Sequence, residues 1–171
     1  GIRTIDQGAF ADTALWEHSA TNEVYVGRWL LGLKDTTSAT VTFREDTVGI
    51  ANYAFYRNNK LTDVFLPNAV KYIGDAAFAL TKINNVVIGS GVESIGEQAF
   101  TACANLSTVI LGSYNFDTGS MEESSLLTIG AYAFRECSSL VNIEIPSTVK
   151  QIGTYAFRAC EKLQEIVLPE G

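Results

Sequence analysis

A nine-residue motif recurs along the chain and constrains its fold more than any other feature. The motif reads IGAYAFREC at 129–137 and IGTYAFRAC at 152–160, with seven of nine letters identical. Its Ala-Phe pair recurs at phenylalanine spacings of 23, 22, 34 and 23 residues, the phenylalanines being Phe55, Phe78, Phe100, Phe134 and Phe157. One such unit cannot bury its own apolar face, but a stack of units can, so the repeat predicts a solenoid.

Each unit divides into two parts with different periodicity. After the phenylalanine, apolar residues alternate with outward-facing ones, as at Val64 and Leu66, and this period of two predicts a short strand with one buried face. Pro67 or its equivalent ends the strand. The IGxxAFxxC part has spacings closer to a helical turn and predicts a short helix or 3₁₀ turn, with glycine permitting a tight turn and the phenylalanine filling the interior.

Two segments depart from the regular spacing. The 34-residue interval exceeds 23 by 11, and Leu111 and Leu126 lie 15 residues apart where other copies have four, which is the same excess of 11. A single insertion at 112–125 explains both. Around 17–38 there are 22 extra residues, which form either a degenerate repeat or, as the strand-like runs VYV and WLLGL favour, an inserted hairpin.

This register predicts one domain over residues 1–171. Residues 1–40 form a degenerate first repeat with the inserted hairpin, marked by a further Ala-Phe pair at Ala9 and Phe10. Residues 41–171 form the regular repeats, interrupted only by the insertion at 112–125. A chain of 171 residues is of ordinary size for one domain.

Composition argues against several classes of function. The chain has a net charge of −7. Binding to phosphate groups requires a basic patch, so we expect no nucleic-acid partner. No uninterrupted apolar run is long enough to span a bilayer. The single histidine, His18, rules out a histidine-rich metal site, and we expect it in an exposed loop. Cys103, Cys137 and Cys160 each stand three residues after a repeat phenylalanine, so we expect them to be buried and reduced.

Carboxylates near the predicted strands raise the question of acid–base catalysis. Asp63, Glu144 and Glu165 fall on or beside exposed strand positions. A carboxylate pair would be needed for glycoside hydrolysis. No enclosed pocket can be inferred around these residues, so the sequence favours a solvated acidic surface.

The residue between the two inward strand positions is the most informative column. Four of its six members are apolar, although the period of two points them away from the core: Thr42, Phe65, Val87, Ile110, Glu144 and Val167. Two interpretations stay open, β-propensity on a partly covered sheet and an apolar stripe for a partner. The insertion adds Tyr114 and Phe116, which either overhang the stripe as aromatic anchors or fold back over the sheet edge.

The consensus I-G-x-x-A-F-x-x-C-x-x-L-x-x-I-x-I-P closely resembles the BspA-like, or treponemal-type, leucine-rich repeat family. The resemblance covers about 40–171 and, in fragment, residues 5–10. The segment VYVGRWLLGLKD also resembles one found near the start of such domains. Departures are modest: the first full copy has Ala51 in place of glycine and Asn58 in place of cysteine, and the second has no cysteine and one residue fewer between Phe78 and Ile83.

The resemblance implies an α/β solenoid with a parallel β-sheet on one face and short helices or 3₁₀ turns on the other. It also implies a secreted or cell-surface bacterial protein without catalytic residues or cofactors. The leading hypothesis is a non-enzymatic module that binds a protein or extended-chain ligand through the sheet face, for example in adhesion to host matrix or another cell surface. The alternative is a passive stalk that presents another domain.

The C-terminal end lacks the polar final repeat that normally caps a solenoid. The chain runs through Leu168, Pro169, Glu170 and Gly171 directly after a predicted strand. An open end exposes apolar side chains and unpaired strand groups. We therefore expect either a longer parent protein or packing against another copy.

Overall fold

The computed structural model describes residues 1–112, 114–115 and 120–169. Each repeat makes one turn of a solenoid with three sides: a two-residue strand, a turn segment that contains the Ala-Phe pair, and a strand of three or four residues. We call the turn segments the Phe turns, and they occupy 51–58, 74–81, 96–103, 130–137 and 153–160. The predicted solenoid with a parallel sheet is confirmed.

The second sheet, as we name it, contains the strands predicted from the alternating pattern. Its strands pair in parallel and in register as two blocks. One block comprises β4 (Asp63–Leu66), β6 (Asn85–Ile88) and β8 (Thr108–Leu111). The other comprises β12 (Asn142–Glu144) and β14 (Glu165–Val167). In β4 the alternation appears as predicted, because Val64 and Leu66 are buried while Phe65 is exposed.

A first sheet runs along another side, and the sequence predicted only its two N-terminal strands, from the runs VYV and WLLGL. It has seven strands in the order β1-β2-β3-β5-β7-β11-β13. Its bounds are β1 Glu23–Val26, β2 Trp29–Leu33, β3 Gly49–Ile50, β5 Tyr72–Ile73, β7 Ser94–Ile95, β11 Thr128–Ile129 and β13 Gln151–Ile152. The repeat isoleucines therefore lie in strands, where the sequence analysis placed the start of a helix or 3₁₀ turn.

The Phe turns are runs of consecutive hydrogen-bonded β-turns, not the helices or 3₁₀ turns that the sequence predicted, and hydrogen bonds join them between repeats. Within one turn, the Tyr56 N–H donates to the Tyr53 carbonyl at 3.0 Å. Between turns, the Phe55 N–H donates to the Ala77 carbonyl at 2.7 Å, and the Phe78 N–H donates to the Ala99 carbonyl at 2.8 Å. Two residues per turn, none of them glycine, have a positive φ, such as Tyr53 and Arg57 at 60°. This costly backbone conformation lets alternate N–H groups reach the next repeat.

The phenylalanines of the Phe turns stack face to face along the solenoid. Successive ring centroids from Phe55 to Phe157 lie 4.8, 5.2, 5.2 and 5.4 Å apart, with rings within 10° of parallel. Phe43 closes the N-terminal end of this stack edge-on to Phe55 at 6.3 Å. The spacing is close to the ~4.8 Å between hydrogen-bonded strands, so rings and strands advance together.

The repeat glycines are required for close approach between turns, not for a special backbone angle. None of Gly74, Gly96, Gly130 and Gly153 has a positive φ. A Cβ added at Gly153 would lie 2.3 Å from the Ala131 nitrogen, and one at Gly96 would lie 2.6 Å from the Gly74 carbonyl carbon. A turn does begin at each glycine, as the Ala77 N–H donates to the Gly74 carbonyl at 3.3 Å, and the missing side chain is what permits the stacking distance.

The three cysteines form a buried column beside the phenylalanine stack. Each thiol donates to the carbonyl of the phenylalanine one repeat earlier, Cys103 to Phe78 at 3.1 Å and Cys137 to Phe100 at 3.2 Å. Cys160 repeats the contact with Phe134 at 3.1 Å. No disulfide joins them. Burial raises the pKa of Cys103 to about 11 and raises the pKa values of the other two thiols.

The first turn of the solenoid is assembled from two separate segments. Strands β1 and β2 form an antiparallel hairpin, and β2 then pairs in parallel with β3. The Leu30 carbonyl accepts the Ala51 N–H at 2.9 Å, whereas the next acceptor, for the Asn52 N–H at 2.8 Å, is the Ile5 carbonyl. A 3₁₀ helix (Gln7–Phe10) and a short α1 helix (Ala14–Glu17) connect these segments.

The second sheet is interrupted at one step, where the repeat spacing is 34. In the described part of the chain, no backbone hydrogen bond joins β8 to β12. The first sheet continues across this step through β7 and β11, and the Phe100 N–H donates to the Ala133 carbonyl at 2.7 Å. The interruption is therefore confined to one side, and we call it the seam.

Truncating a central ring tests the phenylalanine stack. We expect Phe100→Ala to lower the free energy of unfolding by about 3–5 kcal/mol, because the variant leaves a cavity between two rings. Urea denaturation followed by circular dichroism measures this loss. The matched control, Phe65→Ala, removes an exposed ring and should change the free energy by less than about 0.5 kcal/mol. Equal losses in the two variants would contradict the stack.

Thiol chemistry tests the cysteine column. At pH 8 a group with a pKa of about 11 is ionised in only about one molecule in a thousand, and the thiolate is the reactive form. We expect native Cys103 and Cys137 to resist a disulfide reagent for hours, with Cys160, the least enclosed, reacting first. Three thiols should react after unfolding in guanidinium. A single reactive thiol in the unfolded chain would show a disulfide and refute the column.

Candidate functional site

The outward residues of the second sheet form an exposed apolar row on its first block. Phe65 lies opposite Val87, and Val87 opposite Ile110, on adjacent strands in register. Phe65 is 64% exposed and Ile110 is 40% exposed. Their side chains face outward because the alternate residues of the same strands are committed to the core. We call these three residues the stripe.

The other two strand residues predicted for this site lie beyond the seam. Glu144 and Val167 are opposite each other on β12 and β14, and Val167 is 46% exposed. The structure therefore brings the stripe together but separates it from this second pair by the interruption. Thr42, the first member of the predicted column, is exposed but does not lie in a strand.

Polar residues flank the stripe along one side. Asp63 and Asn85 are opposite each other, and the Asn85 amide donates to the Asp63 carboxylate at 2.6 Å. Thr108, Asn142 and Glu165 continue this column and are exposed. An apolar centre with a polar rim is the usual composition of a protein interface.

The insertion forms a small antiparallel ladder of β9 (Tyr114–Asn115) and β10 (Ser120–Met121). Phe116 and the side chain of Tyr114 lie outside the described residues, so their placement over the stripe remains a prediction. The return arm of the insertion contacts the ends of the second-sheet strands. There the Glu122 carboxylate accepts hydrogen bonds from the Asn68 amide at 3.0 Å and the Ser90 hydroxyl at 2.9 Å.

The N-terminal hairpin does not cover the stripe. It extends the first sheet, where β2 pairs with β3. Phe65 and Ile110 are exposed in the folded chain, which includes the hairpin. The stripe is therefore accessible to a partner.

The seam is a cleft that sequence reasoning missed. It encloses about 380 Å³ between the whole of β8 on one side and Asn142, Glu144 and Pro146 on the other, with Glu122 and Ser124 at one end. The available signal was the position of the insertion, because its extra residues begin directly after the last residue of β8. The sequence around Asn142 and Glu122 contains no motif that would have identified these residues as lining a cleft.

The remaining polar candidates do not converge. His18 is exposed, and its Nδ1 lies 2.9 Å from the Ala14 carbonyl oxygen. It borders a shallow cleft of about 520 Å³ with Leu15, Ser19 and Arg44. Within residues 1–112, 114–115 and 120–169, no three His, Cys, Asp or Glu side chains are grouped to hold a metal ion. Among the same residues, no helix has the length and apolar character needed to cross a membrane.

Comparison with known proteins places the chain among bacterial repeat proteins. The profile of a family described as "BspA type Leucine rich repeat region (6 copies)" matches residues 33–120 and 110–171. A leucine-rich repeat protein from Bacteroides ovatus is 28% identical, with a TM-score of 0.61 over 88% of this chain and 38% of its own. Another, from Bacteroides capillosus, is 25% identical, with a TM-score of 0.55 over 88% of this chain and 100% of its own. No curated protein matches this chain.

Proposed function

The chain belongs to the BspA-type leucine-rich repeat family, and on that premise we propose that it is a non-enzymatic binding module of a secreted or cell-surface protein. The second sheet is the binding face, and its ligand is a protein or an extended chain, as in adhesion to host matrix or to another cell. The chain spans 38% of the Bacteroides ovatus protein it resembles, so a parent protein of wider function is part of the proposal.

The stripe is the observation that carries this proposal. Phe65, a large aromatic residue exposed two strands away from Ile110 on a regular sheet, has no role in the core, which the alternate residues fill. A contiguous apolar row with a polar rim is typical of protein interaction sites. Strands hold the row rigidly, so little side-chain and backbone freedom is lost on binding.

The shape of the face favours a macromolecular ligand. The stripe crosses three adjacent strands, with Phe65 and Ile110 exposed and Val87 half-buried between them. Small molecules are usually held in concave pockets that bury most of their surface. A broad, open row instead matches a partner that lies across several strands.

The alternative function is a passive stalk that presents another domain. The observation in its favour is the unbroken phenylalanine stack from Phe55 to Phe157. Residues from Val24 to Cys160 also belong to one buried cluster, which supports our proposal that residues 1–171 form a single domain. A continuous core of this kind stiffens the solenoid, whether or not it binds a ligand.

A charged substitution in the stripe tests the binding proposal. Purified wild-type protein is tested against a panel of extracellular-matrix proteins and whole bacterial cells. We expect Phe65→Asp to weaken a binder found there at least tenfold, because a charge placed at an aromatic anchor must be desolvated. The control is Leu80→Asp, at an exposed apolar residue of a Phe turn, which should leave the affinity within twofold.

Two outcomes would count against the proposal. If the panel contains no binder, the stalk is favoured. If Phe65→Asp binds with unchanged affinity while folded by circular dichroism, the binding face lies elsewhere.

A further inference from the structure

A column of side chains on the Phe turns, two residues before each phenylalanine, has a gap in it. Every member has a left-handed backbone, so the side chains leave successive repeats in the same direction. In order, the column reads Tyr53, Ala76, Gln98, Tyr132 and Tyr155. The last two rings lie on adjacent repeats, with their centroids 5.5 Å apart. No ring follows Tyr53 in this way, because the next repeat has only the methyl group of Ala76.

The gap is a hollow of about 200 Å³, which we call the turn hollow, and it is lined by Tyr53, Asp75, Ala76, Glu97 and Gln98. Tyr53 is 46% exposed and Ala76 is 4% exposed, so the hollow has an accessible aromatic wall and a closed floor. Because hydrogen-bonded repeats advance by about 4.8 Å, a flat group over Ala76 would lie at stacking distance from the Tyr53 ring. The turn hollow therefore has room for a planar group in place of the missing ring.

The two repeats that lack a tyrosine are also the two that carry a carboxylate on the preceding residue. Asp75 and Glu97 hold this position, where the other repeats have Asn52, Ala131 and Thr154. Both carboxylates belong to exposed residues, and among the residues that the structure describes no lysine or arginine lines the hollow. Negative charge of one sign beside an accessible aromatic face favours a cation.

Both carboxylates keep oxygen atoms that can accept hydrogen bonds from a ligand. Asp75 Oδ1 accepts the Glu97 N–H at 2.7 Å, and no described residue donates to Asp75 Oδ2. Glu97 Oε1 lies 3.4 Å from the amide nitrogen of Gln98, which is long for a hydrogen bond. An ionised carboxylate has about four acceptor sites, so a cation can be bound without breaking the hydrogen bond to the backbone.

Arginines of the protein already stack on tyrosines in these turns. The guanidinium carbon of Arg57 lies 5.2 Å from the Tyr56 ring centroid, and that of Arg158 lies 5.1 Å from the Tyr155 centroid. A guanidinium is planar, stacks on aromatic faces and donates in a fork that matches a carboxylate, whereas the lysine ammonium is a compact and more strongly hydrated charge. The shape and the charge of the turn hollow therefore both favour a guanidinium.

We propose that the turn hollow binds an arginine side chain of a partner protein. The guanidinium lies over Ala76 against the Tyr53 ring, and its N–H groups donate to the carboxylates of Asp75 and Glu97. The turn hollow lies on the Phe turns, a different side of the solenoid from the stripe. The inference therefore goes beyond the proposed function and does not depend on it.

Titration of ¹⁵N-labelled protein with two peptides tests the proposal. The probes are acetyl-Gly-Arg-Gly-amide and its counterpart with citrulline, which has nearly the shape of arginine without its charge. We expect the arginine peptide to shift the amide resonances of Ala76 and Gln98 saturably, and the citrulline peptide to leave them unchanged.

Asp75→Asn removes one of the two charges and should raise the Kd of the arginine peptide about three- to fivefold. This variant keeps the hydrogen bond to the next repeat, because Asn52 accepts the Asp75 N–H in the same way at 2.8 Å. The matched control is Glu161→Gln, at an exposed carboxylate two repeats beyond Glu97, and it should leave the Kd unchanged.

A second variant fills the turn hollow. Ala76→Tyr restores the missing ring, and the backbone accepts it, since φ is 50° at Ala76 and 60° at Tyr53. We expect this variant to keep the circular dichroism spectrum of the wild type and to lose the saturable shifts. Unchanged affinity in either variant, equal binding of the citrulline peptide or absence of saturable shifts would overturn the inference. Shifts confined to Phe65 and Val87 would also overturn it, while leaving the stripe as a binding face.

Discussion

The match between aromatic stacking and strand spacing is the constraint on which the rest of the molecule depends. Rings stacked at 4.8–5.4 Å advance at nearly the distance of a hydrogen-bonded strand. The same translation per repeat therefore allows ring stacking in the core, strand pairing in the first sheet and hydrogen bonding between the Phe turns. The repeat glycines and the cysteine column follow from this step, since both need a neighbouring backbone in close contact.

The insertion shows which sides of the solenoid set this step. Across the 34-residue interval, the stack and the first sheet continue, and only the second sheet opens. The opening lies on the side where the extra residues leave the chain, directly after Leu111. A local departure from the repeat thus interrupts the proposed binding face, while the stacking of Phe100 on Phe134 in the core continues unbroken.

Sequence periodicity predicted the parts of the fold that depend on side-chain burial. The alternation in 63–66 identified a strand, and the phenylalanine and cysteine columns were placed correctly because each recurs at a fixed offset. The outward positions of Phe65, Val87 and Ile110 followed from the same alternation, although their role in binding remains a proposal.

Features that depend on contacts between repeats could not be read from one repeat. After the N-terminal hairpin, the strands of the first sheet are only two residues long, such as Tyr72–Ile73, and too short to show an alternation. Left-handed conformations occur at Tyr53 and Leu80, residue types that do not favour them, because inter-repeat hydrogen bonds override local preference. The seam likewise arises because β8 and β12 do not pair, although the sequence of each strand resembles that of the strands that do pair.

Amide hydrogen exchange tests the central claim that the Phe turns and first sheet carry the stack across the insertion while the second sheet opens. The Gln98 and Phe100 amides donate across this step to Ala131 and Ala133, and should be protected as strongly as the Phe78 amide. The Val109 and Leu111 amides, which face the seam, should exchange orders of magnitude faster than those of Gln98 and Phe100. Fast exchange at Gln98 and Phe100, or strong protection at Val109 and Leu111, would contradict the account.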